Sequence, residues 1–269
     1  MNKKITKLNP RKRYLQIALN NTLEEAQKII AQIPISDRIL IEAGTPLIKR
    51  YGEEGIKQIK KWYTEHIIGE PLSPLIGESE EKIFSKALKN SIELLANIAT
   101  KKYSPQRSSK IIPYVVADLK TMDRAETEVE MAARAGADAV IALGHAPIES
   151  LNAFIQKCEE FGLDSIIDMM NVEFPLSILR QLKKPPRVVI LHRGADEEKF
   201  NKEKTVPLHE IRRIKGNYNI LLSVAGIDSV REIQMAIFND ANIVVVWKSF
   251  LQGTPETTKL IEEFLKKIK

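Results

Sequence analysis

The 269-residue chain is 43% hydrophobic and 28% charged, enough apolar content to bury a large core and enough charge to solvate its surface, which excludes a disordered or fibrous polymer. Its formal charge of +6 invites a nucleic-acid partner, but 41 basic residues are interleaved with 35 acidic ones instead of forming one patch, so no nucleic-acid interface is expected. The single cysteine, Cys158, excludes a disulfide framework and a thiolate metal cluster. No apolar run approaches the ~18 residues of a membrane span, and Met1-Asn-Lys-Lys lacks the apolar segment of a signal peptide, so a reducing cytoplasm without membrane contact is the expected setting.

Along the chain, short β-branched runs alternate with longer amphipathic stretches, the pattern of parallel βαβ units and not of hairpins. The strand-like runs are Tyr14–Leu19, Arg38–Ile41, Ile111–Ala117, Ala139–Leu143, Asp164–Ile167, Arg187–Leu191, Asn219–Val224 and Ile243–Val246. Thr22-Leu-Glu-Glu25 has the form of a capping box that opens the first helix. Arg124–Ala135, Ile148–Phe161, Val230–Phe238 and Glu256–Ile268 carry apolar residues at helical spacing, and Gly136 and Gly162 stand where helices should stop. The basic stretches Lys3 to Arg13 and Lys101 to Lys110 read as a solvated tail and a linker. Eight strand–helix units predict one α/β domain over residues 1–269, a closed (β/α)8 TIM barrel.

One interval breaks the rhythm, because strand 2 ends near Glu42 whereas strand 3 begins only at Ile111. Leu88, Ile92, Leu95 and Ala99 form an apolar stripe that marks Ala87–Thr100 as the helix before strand 3. Residues 52–85, with Trp62, Tyr63, His66 and the Pro71 to Pro74 turn, then read as a helical insertion in the loop after strand 2, either a lid or partner-contact element at the mouth or a stabilising helical pair beside the barrel.

Residues just past each barrel strand converge on one cavity. Here that ring is polar: Asn20 after strand 1, Glu42 after strand 2, Asp118 and Lys120 after strand 3, Asp168 after strand 5 and His192 after strand 6. Ala225-Gly226 follows strand 7 and Trp247-Lys248 follows strand 8. Glu42, Asp118 and Asp168 would repel one another unless a cation balanced them, and either Lys120 or a divalent metal would do so. Oxygen-only ligands favour a hard ion such as magnesium. Asp118 and Lys120, two apart, share one face of an extended segment, whereas Asp123 falls at the start of the next helix, where a plain N-cap is the simpler role. Asp168 also has a capping alternative. His192, at a strand end, suits acid–base work, while His145, His209 and His66 are weaker candidates.

These residues resemble the orotidine 5'-monophosphate decarboxylase superfamily, most closely its 3-hexulose-6-phosphate synthase branch. The resemblance rests on Ile41-Glu-Ala-Gly-Thr-Pro-Leu-Ile48, on Val116-Ala-Asp-Leu-Lys-Thr-Met-Asp123 with the helix ending in Ala135-Gly-Ala-Asp138, and on Leu191-His-Arg-Gly-Ala-Asp196 and Val224-Ala-Gly226. Glu42 matches the magnesium-dependent sugar-phosphate members, where the metal-free pyrimidine decarboxylases carry lysine. Ala195 stands where 3-keto-gulonate-6-phosphate decarboxylases carry a second arginine, which favours the synthase.

The resemblance implies that Glu42 and Asp118 bind magnesium, that His192 shuttles a proton, that Lys120 stabilises an oxyanion and that Asp123 reaches into a neighbouring subunit's site, hence a homodimer with shared sites. The implied reaction adds a ribulose 5-phosphate enediolate to formaldehyde or reverses that addition. Asn20, Asp168, Ala225, Gly226, Trp247 and Lys248 would surround the substrate. Three positions depart from the family pattern. Asn20 replaces an aspartate, Gly226-Ile227 replaces a glycine pair, and Trp247-Lys248 replaces Gly-Arg. Bulk at the last two crowds a phosphate cradle built from backbone amides. A different enolisable substrate, or a catalytically silent paralogue, is the alternative that these departures raise.

Overall fold

The computed structural model describes residues 6–75, 111–227, 229–247 and 255–268. Eight parallel strands, each paired with the next and the last with the first, close into a barrel. They are β1 (Tyr14–Leu19), β2 (Ile39–Ala43), β3 (Val115–Thr121), β4 (Ala139–Leu143), β5 (Asp164–Asp168), β6 (Val188–His192), β7 (Leu221–Ala225) and β8 (Ile243–Val246). The helices among the described residues are α1 (Leu23–Ile30), α2 (Thr45–Ile68), α3 (Ala125–Arg134), α4 (Ile148–Phe161), α5 (Pro175–Leu179), α6 (Ala195–Phe200), α7 (His209–Lys215), α8 (Val230–Phe238) and α9 (Pro255–Lys267).

Strand alternation divides the apolar residues into two bodies. Leu15, Ile17 and Leu19 of β1 face outward and join the layer between the strands and the helices, with Trp62, Phe154 and Phe264 among its largest side chains. Tyr14 and Ala18 face inward and join Leu40, Val116, Ile141, Ile166, Ile190, Leu221 and Val245 along the barrel axis. Both faces of each strand are therefore dry, which is why the strand sequences read as continuous apolar runs. Ionisable residues enter these strands only near the two ends of the barrel, Tyr14 and Asp164 at one and Glu42, Asp118, Lys120, Asp168 and His192 at the other.

At the N-terminal end the barrel is sealed by the first described residues of the chain. Leu8 is buried against the inner cluster. Thr6 Oγ1 donates to Asp164 Oδ2 at 2.8 Å, the oxygen that also accepts Tyr114 Oη at 2.7 Å. Lys7 and Lys60 pair with the two oxygens of Asp138 at 2.9 and 2.6 Å. Residues 6–9, expected as part of a solvated tail, are thus built into the floor of the barrel, because Asp138 and Asp164 need partners there.

Local signals placed the helices where the sequence suggested. Thr22 Oγ1 accepts Glu25 N at 3.3 Å to open α1, and Gly162 closes α4 with φ 67°. Of the 52–85 segment, residues 52–68 are helical. The turn after β2 consists of Gly44 alone, and α2 runs on to Ile68 across a kink at Gly52 (φ 60°). Trp62 and Tyr63 lie in the core; Trp62 Nε1 donates to Ser73 O at 2.7 Å and Tyr63 Oη to Ile39 O at 3.0 Å. The helix to which residues 52–68 belong packs on β2 and β3. Residues 76–85, the stripe at Ala87–Thr100 and the basic run at Lys101–Lys110 lie outside the described residues.

Candidate active site

The C-terminal ends of the strands enclose a cavity of about 260 Å³ lined by Asn20, Glu42, Asp118, Lys120, Asp168, His192, Ala225, Gly226 and Trp247. All of these were expected around the site, and the barrel brings them to one place. Asp123 is not among them: it is exposed at the rim beyond β3. Lys248 lies outside the described residues. Of the weaker candidates, His66 is committed to the carbonyl of Ile33 and His145 and His209 are exposed.

The centre of the site is a single oxygen. Asp168 Oδ2 accepts Lys120 Nζ at 2.8 Å and His192 Nδ1 at 2.7 Å, while Oδ1 accepts the amide of Met170 at 3.0 Å. Burial pushes the Asp168 carboxyl up, but His192 and Lys120 outweigh it and leave the pKa at about 2. Asp168 is therefore an acceptor only, so Nδ1 of His192 carries the proton and Nε2 is the nitrogen left for chemistry. Burial lowers the affinity of His192 for a second proton, and the Asp168 charge more than reverses this, so its pKa is raised.

Lys120 bridges two carboxylates, since its Nζ is also 3.1 Å from Asp118 Oδ2. Desolvation opposes its charge, but Asp118 and Asp168 prevail and hold it firmly protonated. Asp118 and Lys120 do not meet through a regular extended segment. The β3–β4 register shifts between Ala117 and Thr121, and Lys120 sits in the left-handed region with φ 48°. Such a bulge with a non-glycine left-handed residue costs about 1–3 kcal/mol, and the two ion pairs of Lys120 hold it in place.

Glu42 and Asp118 form the second half of the site. Gln16, inward-facing on β1, donates to Glu42 Oε2, and Thr45 Oγ1 donates to Asp118 Oδ2 at 2.9 Å. Burial and the charge of Asp118 push the Glu42 carboxyl up to about 7, and burial likewise raises Asp118 against the pull of Lys120. Asp118 Oδ1 is buried and has no hydrogen-bond partner. Two buried carboxylates that are both raised, one with an orphaned oxygen, fit a hard divalent cation. Among the described residues no group of three His, Cys, Asp or Glu side chains has a metal-ligating arrangement, so this pair would supply only part of a coordination shell.

Beside this pair, at the ends of the neighbouring β1 and β2, Asn20 Oδ1 rests against Gly44, where an added Cβ would lie 1.9 Å from it. Gly226 (φ 76°) lets the loop after β7 close onto the backbone of Arg193, and Ile227 and Trp247 face the same cavity. Gln16, Thr45 and Arg193 are the site residues that strand-end reasoning missed. Gln16 is on an axis-facing strand position and Thr45 opens a helix, so the signal for both was polarity at otherwise apolar or capping positions.

Residues 103–246, more than half of the chain, match the model of the orotidine 5'-phosphate decarboxylase / HUMPS family. The chain belongs to this family. Its sequence is similar to the bifunctional enzyme Fae/Hps of Methanocella arvoryzae, 33% identical over 240 residues that cover 88% of this chain and 48% of that protein. It is also similar to the bifunctional enzyme Fae/Hps of Methanosarcina barkeri, 30% identical over 253 residues, 94% of this chain and 52% of that one. The chain thus spans about half the length of the curated relatives it matches.

The barrel superposes on 3-hexulose-6-phosphate synthase from Salmonella typhimurium with a TM-score of 0.70 and 21% identity, over 95% of this chain and 98% of that one. On KGPDC from Streptococcus mutans the TM-score is 0.64 and the identity 15%, over 96% and 99% of the two chains. Both likenesses establish the family's barrel fold for this chain. Among the described residues, no helix is long and apolar enough to cross a membrane.

Proposed function

We propose that the chain is a magnesium-dependent carbon–carbon lyase of the aldehyde-lyase type that joins formaldehyde to ribulose 5-phosphate, or runs the reverse cleavage, as the 3-hexulose-6-phosphate synthase activity does. The observation that carries this reading is the Asp168 oxygen shared by Lys120 and His192 beside the Glu42–Asp118 pair. His192, Lys120, Glu42 and Asp118 line one cavity, which supports reading them as proton carrier, fixed cation and metal ligands. The relatives' names, which include Hps, support the same reading.

Glu42 and Asp118 would hold the magnesium ion, which when bound supplies positive charge for neighbouring substrate oxygens. His192, its ring fixed by Asp168, takes the C1 proton of ribulose 5-phosphate at Nε2. The electron pair left on C1 forms the new bond to the formaldehyde carbon, and the formaldehyde oxygen, now an alkoxide, takes a proton in turn. Lys120 faces the developing enediolate charge with an ammonium that Asp118 and Asp168 keep protonated. Ala195 and Ala225 line the same cavity with small side chains, which leaves room in it for a second, small reactant. Asp123, exposed at the rim, is free to complete the site of a partner subunit in a homodimer.

Ile227 and Trp247, which line the cavity, favour a second reading in which the same groups enolise a substrate without phosphate. Exchange of the C1 proton of ribulose 5-phosphate with solvent deuterium, followed by proton NMR with and without formaldehyde, separates the two. Exchange without formaldehyde and hexulose phosphate with it are the expected results; no exchange in magnesium removes the first reading.

A further inference from the structure

We propose that Arg193 is the anion receptor of this cavity and takes the phosphate of the substrate. Its position follows from the strand end: Arg193 is the first residue past β6 and lines the cavity with His192, Gly226, Ile227 and Trp247. Its side chain is nevertheless buried, with the residue only 9% exposed.

A guanidinium carries five N–H donors, and a buried charge is costly unless it is paired and hydrogen-bonded. The donors of Arg193 are poorly used. Nη1 donates to Lys204 O at 3.2 Å, Nη2 stands 3.6 Å from Glu232 Oε1, and Nε is buried with no hydrogen-bond partner. A charge-assisted bond to a carboxylate is ordinarily ~2.8 Å, so the Glu232 contact is loose. The other oxygen of Glu232 is occupied by the amide and hydroxyl of Ser229 at 3.1 and 2.9 Å, which ties that carboxylate to the cap of α8. The cation is under-neutralised, and the unspent donor is on the buried side.

The departure from the family's glycine pattern points the same way. With Ile227 and Trp247 lining the wall, less backbone is open to cradle a dianion. Gly226 is retained and packs its backbone directly on Arg193, where an added Cβ would come within 1.9 Å of the Arg193 carbonyl oxygen. A bidentate guanidinium replaces backbone amides as the donor set. The inference rests on the reading of a phosphorylated substrate given above.

Isothermal titration of the full chain with inorganic phosphate, and steady-state kinetics with ribulose 5-phosphate, test it. Arg193→Gln should weaken phosphate binding about 10- to 100-fold and raise KM for ribulose 5-phosphate by a similar factor, with a smaller change in kcat. Glu232→Gln keeps an acceptor for the Ser229 cap but removes the competing charge, so it should tighten phosphate binding. A residue that only braces the loops would give the opposite sign in Glu232→Gln, and that variant decides the matter if Arg193→Gln does not fold. Wild-type affinity for phosphate in Arg193→Gln, or no phosphate binding by the wild type, overturns the proposal. Arg193-dependent phosphate binding without any condensation would instead retain the receptor and remove the lyase reading.

Discussion

Asp168 accepts the Nδ1 proton of His192 at 2.7 Å through the same oxygen that accepts Lys120, so one carboxylate orients the proton carrier and anchors the fixed cation. Replacing that charge with an amide keeps the shape and removes the field. Asp168→Asn should lower the pKa of His192 from its raised value, measured by proton–nitrogen NMR of the ring, and reduce turnover by about 100-fold, the scale of one acid–base contribution. An unchanged His192 titration would contradict the arrangement.

The same pair gives folding stability a defined pH window. Asp168 is lowered from 3.8 to about 2, so its contribution is complete above pH 3.8 and is lost as pH falls through about 2. His192 is raised from 6.5, so its contribution is complete below pH 6.5 and is lost as pH rises through the higher folded-state value. Urea unfolding at a series of pH values should therefore show the difference between wild type and His192→Gln narrowing as pH rises above 6.5. A difference that stays constant across that rise would argue against it.

Two glycines at the mouth should differ in cost. At Gly44 a new Cβ meets the movable Asn20 side chain, whereas at Gly226 it meets the backbone carbonyl of Arg193 in a residue with φ 76°. Gly44→Ala should cost ~1 kcal/mol and Gly226→Ala ~3 kcal/mol in denaturant unfolding, because backbone cannot yield as a side chain does. Equal costs would mean that the loop after β7 adjusts freely.

If Glu42 and Asp118 share a magnesium ion, the metal binds the folded chain and raises its melting temperature by mass action. Differential scanning calorimetry with about 10 mM magnesium, roughly a hundred times a weak dissociation constant, should show a rise for wild type that disappears in Glu42→Gln. A rise of the same size in Glu42→Gln would locate the metal elsewhere.

A homodimer with shared sites makes a complementation test available. Lys120→Ala and Asp123→Ala should each be inactive alone, and random mixing of subunits should restore up to about one quarter of wild-type activity, since half of the dimers then hold one intact site. Mixtures as inactive as the parents would place Asp123 outside the chemistry.

Much of this architecture was legible before any coordinates. Runs such as Tyr14–Leu19 and Ile243–Val246 coincide with β1 and β8 because strands dry on both faces carry an uninterrupted apolar signal. Glu42, Asp118, Lys120 and His192 stood out because ionisable residues at the ends of such runs are expensive to keep unless the cavity uses them. The kink of the 24-residue helix α2 at Gly52 was not legible in the sequence, because it shows only as a positive φ inside an otherwise continuous helix. Gln16, Thr45 and Arg193 were hidden, since their partners Glu42, Asp118 and Glu232 are 26, 73 and 39 positions away along the chain.

By itself the sequence determined the barrel and the set of charged residues at its mouth, because hydrophobic period and strand-end position are local properties. Only the tertiary structure decided how those charges are shared. The bulge that turns Lys120 toward both Asp118 and Asp168, the single Asp168 oxygen between Lys120 and His192, and the idle Nε of buried Arg193 all depend on closing β1 against β8. Closure sets distances between distant segments and excludes water from them, and in that low-dielectric space distance determines which charge pairs with which.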